Sequence, residues 1–184
     1  MPAGKGKPVN FKLIKEGDPK QMEPYELLAK VRQKWHKETI AAAVALAWRV
    51  RQKSDKDGHL VLGKCVKVSD LWKEFAKYDF VIVLNREVWD DPQFGRERRL
   101  ALLDHEMCHA AAVEDEDGEP QYDERNRRLW RVRKHDIEEF SSVVEHHGTY
   151  KRDLEQFAKA LLKKKANPLF APVEAEGGQQ AAVQ

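Results

Sequence analysis

Apolar residues recur at helical spacing in some parts of the chain and alternate with polar ones in others. From Pro24 to Trp35 the apolar positions fit a helix, and proline suits its first turn because its missing N–H needs no partner there. Val44–Val50 and Leu60–Val68 alternate like strands, and the turn-forming residues Ser54–His59 lie between them. The pattern therefore predicts one helix followed by a β-hairpin.

The strongest strand signal is the run "YDFVIVLN", which covers Tyr78–Asn85. A continuous apolar and β-branched run predicts a central strand with both faces covered. The other predicted elements are helices at Ser69–Lys77, Arg96–Val113, Asp136–Gly148 and Lys151–Lys165, and a strand at Arg127–Lys134. The order α-β-β-α-β-α-β-α-α predicts an α+β fold, a small mixed sheet packed with helices.

Composition divides the chain into three parts. Residues 1–23 contain lysine, glycine and proline with weak periodicity, which predicts a flexible basic N-terminal arm. Residues 24–165 have the composition of a single domain. Residues 166–184 are rich in glycine, glutamine and alanine, which predicts a disordered tail. With 35% charged residues and a net charge of +2, the whole chain shows no preference for an acidic or a basic partner.

Local charge is less even than the total. Arg125–Lys134 is strongly basic, and Arg127, Arg128 and Arg131 are candidate nucleic-acid contacts. The alternative is an exposed strand face whose arginines are merely solvated. The two cysteines are too few for a disulfide framework, and no apolar run approaches a membrane span. We therefore expect a monomeric protein in the cytoplasm, without membrane contact.

The stretch "LLDHEMCHAA" contains the clearest chemistry. His105 and His109 are four residues apart, so on a helix they lie on one side, one turn apart, which is the spacing that zinc requires. Glu106 is placed to take a proton from the attacking water. Leu103, Met107 and Ala110 lie on the opposite, packing side, and the helical phase of Cys108 indicates a packing role.

A catalytic zinc site needs a third protein ligand. His135, between a predicted strand and a predicted helix, is the first choice for this ligand. Glu138 and Glu139 are alternative third ligands, and Asp136 is a helix cap or a further alternative. The remaining histidines are interpreted as structural (His36, His59) or as surface residues (His146, His147).

Together, "LLDHEMCHAA", "RVRKHDIEEFSSVVEHHG" and "YDFVIVLNREVWDD" resemble the metallopeptidases encoded by phages and prophages. More distantly the layout is similar to SprT-like and Spartan-type zinc proteases. That resemblance implies a minimal zincin-like domain with the HExxH motif on a central helix, one Zn²⁺ held by His105, His109 and His135, and Glu106 as general base. Phe140 follows His135 one residue later than the aromatic of those relatives, which keeps the acidic alternatives open.

The function predicted is a zinc-dependent peptidase acting on a protein or peptide, in the host cytoplasm if a phage encodes it. Tyr122, Tyr150 and Arg133 are candidates to stabilise the oxyanion. Two alternatives stay open. One is a DNA-associated accessory protein with a structural metal, and the other is a DNA-linked SprT-like protease.

Overall fold

A computed structural model describes residues 10–51, 54, 56, 58–138 and 141–163. The chain divides into two compact units, with the boundary between His135 and Asp136. The single domain over residues 24–165 stays a prediction. The first unit contains most of the helices and all the named strands, which confirms the α+β class.

Four strands form the main sheet of the first unit. They are β1 (Phe11–Leu13), β2 (Val44–Arg49), β3 (Gly63–Lys67) and β4 (Phe80–Asn85). The spatial order is β1-β2-β4-β3, with β2 parallel to β4 and the other neighbours antiparallel. The sheet is therefore mixed, and β4 is central and largely buried, as predicted.

The predicted hairpin between β2 and β3 is wrong, because both strands pair with β4 and lie on opposite sides of it. Four of the six residues of β2 are buried, which suits a position between two strands. Only one residue of β3, Cys65, is buried, which suits an edge. Alternation of polar and apolar residues marks a strand but does not specify its partner.

The predicted N-terminal arm is also wrong in its second half. Phe11–Leu13 pairs with Ala47–Arg49 and forms an edge strand of the sheet. Three residues are too few for the sequence to show an alternating strand pattern. Residues 1–9 lie outside the described residues.

The described part of the first unit contains four α-helices: α1 (Met22–Trp35), α2 (Asp70–Lys73), α3 (Arg86–Asp90) and α4 (Arg96–Cys108). The predicted helix from Pro24 thus begins at Met22 instead, and its Leu27, Leu28 and Val31 are buried. Helix α3 was not predicted. Asn85 is a good N-cap for this helix, because its side chain accepts hydrogen bonds from the N–H groups of Glu87 and Val88.

The helix predicted to reach Val113 ends at Cys108, and Ala110–Ala112 forms strand β5. This strand pairs antiparallel with β6 (Trp130–Val132), so a non-local partner overrides the helix preference of three alanines. The predicted strand Arg127–Lys134 is confirmed at its centre. Backbone hydrogen bonds from Gln121 to Val113 and from Leu129 to Gln121 fold the intervening residues into a compact ladder.

One buried apolar cluster joins α1, α4 and both sheets. Leu103 and Met107 of α4 are fully buried in it, as their helical phase predicted. Trp130 of β6 meets Phe80 of β4 edge to face with ring centroids 5.9 Å apart, which fixes the second sheet against the first. Arg99 of α4 also forms an ion pair with Glu23 of α1 at 2.9 Å.

The second unit contains α5 (Ser141–His147) and α6 (Arg152–Lys163). Residues 136–138 are not helical, so the predicted helix start at Asp136 is wrong, and Glu139 of its capping box lies outside the described residues. A cap is a local signal of about 1 kcal/mol, which other constraints on a chain easily override. Gly148 adopts a positive φ of 67° directly after α5, as predicted for a helix end. None of the helices in the described residues could span a membrane.

Candidate metal centre

Helix α4 presents His105 and His109 on one side. His109 is the C-cap of the helix and keeps helical dihedral angles (φ −74°, ψ −22°), so the four-residue spacing retains its helical geometry. Leu103 and Met107 anchor the opposite side of α4 in the core. The helix therefore holds two imidazoles in a fixed relation on a rigid support.

The hairpin of β5 and β6 brings the third histidine back to the end of α4. Ala110 pairs with Val132, and the N–H of Arg133 donates to the carbonyl of His109 at 2.8 Å. The ladder thus continues to the residue that caps α4, and His135 follows two residues later. This register, and not proximity in sequence, places His135 beside the motif.

The three imidazole rings converge. Ring centroids are 5.1 Å apart for His105 and His109, 5.0 Å for His105 and His135, and 4.6 Å for His109 and His135. One ligand nitrogen from each ring lies within 4.8 Å of the others. The structure therefore brings together the three residues predicted as ligands, all from the first unit.

The closest nitrogen pair is Nε2 of His105 and Nε2 of His135, at 3.2 Å. A tetrahedral zinc ion with nitrogen ligands at about 2.0 Å separates neighbouring nitrogens by about 3.3 Å. At this distance one ring nitrogen donates a hydrogen bond to the other, and a metal ion between them would take the place of the shared proton and attract both lone pairs. The donor set and its spacing therefore fit a divalent metal ion.

Hydrogen bonding also prepares His109 as a ligand. Its Nδ1 lies 2.7 Å from the carbonyl oxygen of Arg133, which can only accept, so Nδ1 carries the proton and donates it. That tautomer leaves Nε2 with a lone pair for a metal. Partial burial lowers the pKa of His105 below the ordinary value of 6.5, and the neighbouring His109 and His135 lower it further. Both effects favour the neutral imidazole that a metal requires.

Glu106 lies beside the imidazoles but is directed into the protein. It is only 4% exposed, and its carboxylate accepts a hydrogen bond from the backbone N–H of Cys65 in β3. Burial raises the pKa of Glu106, while the charge of His109 and the Cys65 hydrogen bond oppose that rise. A carboxylate with a raised pKa is a better proton acceptor than an exposed one.

Gly63 makes room for the Glu106 side chain. A Cβ atom at position 63 would lie 3.0 Å from Cδ of Glu106 and only 2.6 Å from its Oε1, so the carboxylate would have to shift. Sequence reasoning missed this contact. The signal was present, since an isolated glycine within a strand pattern often marks the close approach of another group.

The acidic alternatives to His135 stay untested. Asp136 and Glu138 belong to the second unit, and Glu139 lies outside the described residues. The oxyanion candidates are likewise untested. Tyr122 and Tyr150 are about half exposed, Tyr150 belongs to the second unit, and Arg133 contacts His109 through its backbone.

The three predicted nucleic-acid contacts differ in their surroundings. Arg127 donates to Asp123 at 2.7 Å and to Glu74 at 3.4 Å. Arg128 donates to the carbonyl of Glu38 at 3.3 Å and lies over the ring of Trp130. Arg131 is exposed on β6. Because acidic side chains already contact Arg127, the local positive field is weaker than the sequence suggested, and DNA contact stays a prediction.

A helix-borne pair of histidines, joined by a third from an adjoining hairpin and backed by a buried glutamate, is an arrangement typical of metal-dependent hydrolases. Residues 20–162 match the family described as "Putative phage metallopeptidase". The chain belongs to this family, which confirms the resemblance noted in the sequence. No curated protein matches the chain. No solved structure matches it either.

Proposed function

We propose that this protein is a zinc-dependent peptidase of minimal zincin-like architecture. The observation that carries the proposal is the convergence of His105, His109 and His135 beside the buried carboxylate of Glu106. Imidazole ligands favour zinc among the common divalent metals. The family match supports peptide-bond hydrolysis as the reaction.

The three histidines would hold one Zn²⁺ and leave an open position toward solvent, since His105 and His135 are both exposed. When bound, the ion supplies Lewis acidity that polarises a peptide carbonyl and lowers the pKa of water. The Nδ1 hydrogen bond to Arg133 fixes the orientation of the His109 ring. The hairpin register fixes the position of the backbone that leads to His135.

Glu106 acts as the general base in this proposal. Its carboxylate accepts a proton from the attacking water and transfers it to the leaving amine nitrogen, so the side chain ends the cycle unprotonated. The Cys65 N–H holds the carboxylate in place, and Gly63 leaves it the necessary space. The helix, the edge strand β3 and the hairpin thus each contribute one part of the site.

The substrate in this proposal is a protein or peptide, and the compartment is the cytoplasm of the host cell. We propose DNA as an additional ligand through the exposed Arg131, and the proposed hydrolysis does not depend on it.

The experiment compares wild type with Glu106→Gln on a complex peptide library read by mass spectrometry. We expect Glu106→Gln to retain metal and fold but to lose hydrolysis by about 10²–10⁴-fold, the usual contribution of a general base. The matched control is Glu97→Gln, an exposed glutamate in the first turn of the same helix, which should cleave like wild type. Equal cleavage by Glu106→Gln and wild type would refute the peptidase proposal and favour a structural metal.

A further inference from the structure

A second group of potential metal ligands lies on another side of α4. It consists of His36, Asp104 and Cys108, and one ligand atom from each lies within 4.8 Å of the others. Asp104 and Cys108 are four residues apart, like His105 and His109, but one position earlier in the helix. At about 100° per residue, the two pairs point in directions about 100° apart around the axis.

His36 completes this group from α1. It caps the C-terminal end of that helix through an N–H hydrogen bond to the carbonyl of Arg32 at 3.1 Å, and it is only 6% exposed. Its Nε2 lies 2.7 Å from Oδ1 of Asp104. The group therefore bridges the C-terminal ends of α1 and α4, two helices that pack against each other in the core.

The ring of His36 lies between two carboxylates. Asp104 can only accept, so Nε2 of His36 carries a proton and donates it to Oδ1 of Asp104. Oε1 of Glu38 lies 3.6 Å from Nδ1, the other ring nitrogen, where a carboxylate would favour a proton once an ion takes the place of the one on Nε2. A carboxylate behind a histidine in this way is common around metal-ligating imidazoles.

We propose that His36, Asp104 and Cys108 form a second divalent metal site, distinct from the three-histidine centre. Nitrogen, carboxylate oxygen and sulfur together suit zinc or cobalt. Binding would release the thiol proton of Cys108 and the Nε2 proton of His36, while Nδ1 of His36, which faces Glu38, takes up a proton. Bonds from His36 and Asp104 to the ion would replace the hydrogen bond between these two residues. Because its ligands come from two packed helices, the ion acts as a clamp between α1 and α4. In this proposal Cys108 is a ligand as well as a packing residue, and His36 has a structural role.

Sulfur gives this site a spectroscopic signature. A cobalt ion bound to a thiolate shows a thiolate-to-cobalt charge-transfer band in the near ultraviolet, which a site of three histidines cannot produce. Cobalt would be titrated into metal-free His105→Ala/His109→Ala protein, in which the first site is removed. We expect about one cobalt per chain and a charge-transfer band.

Substitutions at the two cysteines identify the sulfur. Cys108→Ser should abolish the band, and Asp104→Asn should weaken cobalt binding about 10-fold or more. The matched control is Cys65→Ser, which should retain the band, because burial raises the pKa of the Cys65 thiol to about 12 and keeps it protonated. A band that disappears with Cys65→Ser, or the absence of any band in the double-alanine protein, would overturn the proposal.

Alkylation provides a measurement that does not require Cys108→Ser to fold. In the double-alanine protein, zinc should slow the reaction of Cys108 with iodoacetamide, as read by peptide mass spectrometry. An alkylation rate unaffected by saturating zinc would also overturn the second site.

Discussion

Helix α4 contributes to two sets of potential metal ligands, which differ in their donor atoms and in their exposure. His105 and His109 are joined by His135 from the hairpin, whereas Asp104 and Cys108 are joined by His36 from α1. The first set contains only imidazoles and is mostly exposed. The second combines nitrogen, oxygen and sulfur around a buried histidine.

The contrast supports the two proposals, a catalytic ion at the first set and a structural ion at the second. Glu106 accompanies only the first set, and the exposure of His105 and His135 leaves space for water and substrate there. The second set lies between two packed helices, where a bound ion would stabilise the fold. Open coordination and an adjacent base are the features of catalytic zinc sites.

The largest effect that we expect follows a change at Gly63, the glycine that contacts Glu106. Gly63→Ala should displace the carboxylate, because the new Cβ would meet Oε1 at 2.6 Å. A displacement of about 1 Å in a catalytic group costs about 10²-fold in rate. We therefore expect kcat on a cleaved library peptide to fall by about that factor, while metal content is retained.

The control for this change is Gly95→Ala. Gly95 precedes α4, and a Cβ there meets nothing within 4 Å. Replacing glycine by alanine at a helix N-cap costs about 1 kcal/mol of stability or less, and kcat should not change. Full activity of Gly63→Ala would mean that Glu106 does not need its observed position.

The second prediction concerns the proposed metal site of His36, Asp104 and Cys108. At a zinc concentration about 100-fold above its dissociation constant, a bound ion stabilises the fold by about 2.7 kcal/mol. In the His105→Ala/His109→Ala protein, the further substitution Cys108→Ser should remove most of this stabilisation by zinc. Denaturant unfolding with and without zinc measures the effect. Equal zinc stabilisation in the two proteins would place the ion elsewhere.

The smallest effect is the pH dependence of the metal-free protein. The pKa of His105 is lowered in the folded state, so near and below pH 6.5 the unfolded chain binds more protons at this residue than the native one. Stability should therefore decline as pH falls through this range. His105→Gln should show a shallower decline in urea unfolding at several pH values, whereas an unchanged slope would assign the dependence to other groups.

The sequence predicted those parts of the site that depend on local periodicity. The spacing of His105 and His109 and the burial of Leu103 and Met107 follow from helical geometry alone. The position of His135 depends on the pairing of β5 with β6, and that pairing begins where three alanines suggested more helix. The sequence indicated that His135 follows a strand. It could not show that His135 lies beside α4, because that position depends on the register between β5 and β6.

Non-local pairing also limited the prediction of the fold. The alternating pattern correctly indicated β2 and β3, while β4 lies between them in the sheet. Gly63 shows the consequence for function. Its place in a strand was predictable, but only the position of edge strand β3 beside α4 reveals that it faces Glu106.

The central claim is that His135 completes the catalytic metal centre. Its most direct test is the zinc content of purified Cys108→Ser protein, in which only the three-histidine site remains, beside the same protein carrying His135→Ala or Glu138→Ala. We predict about one zinc per chain in the parent and in Glu138→Ala, and a loss of most of it in His135→Ala. Zinc that survives His135→Ala but is lost with Glu138→Ala would contradict the assignment.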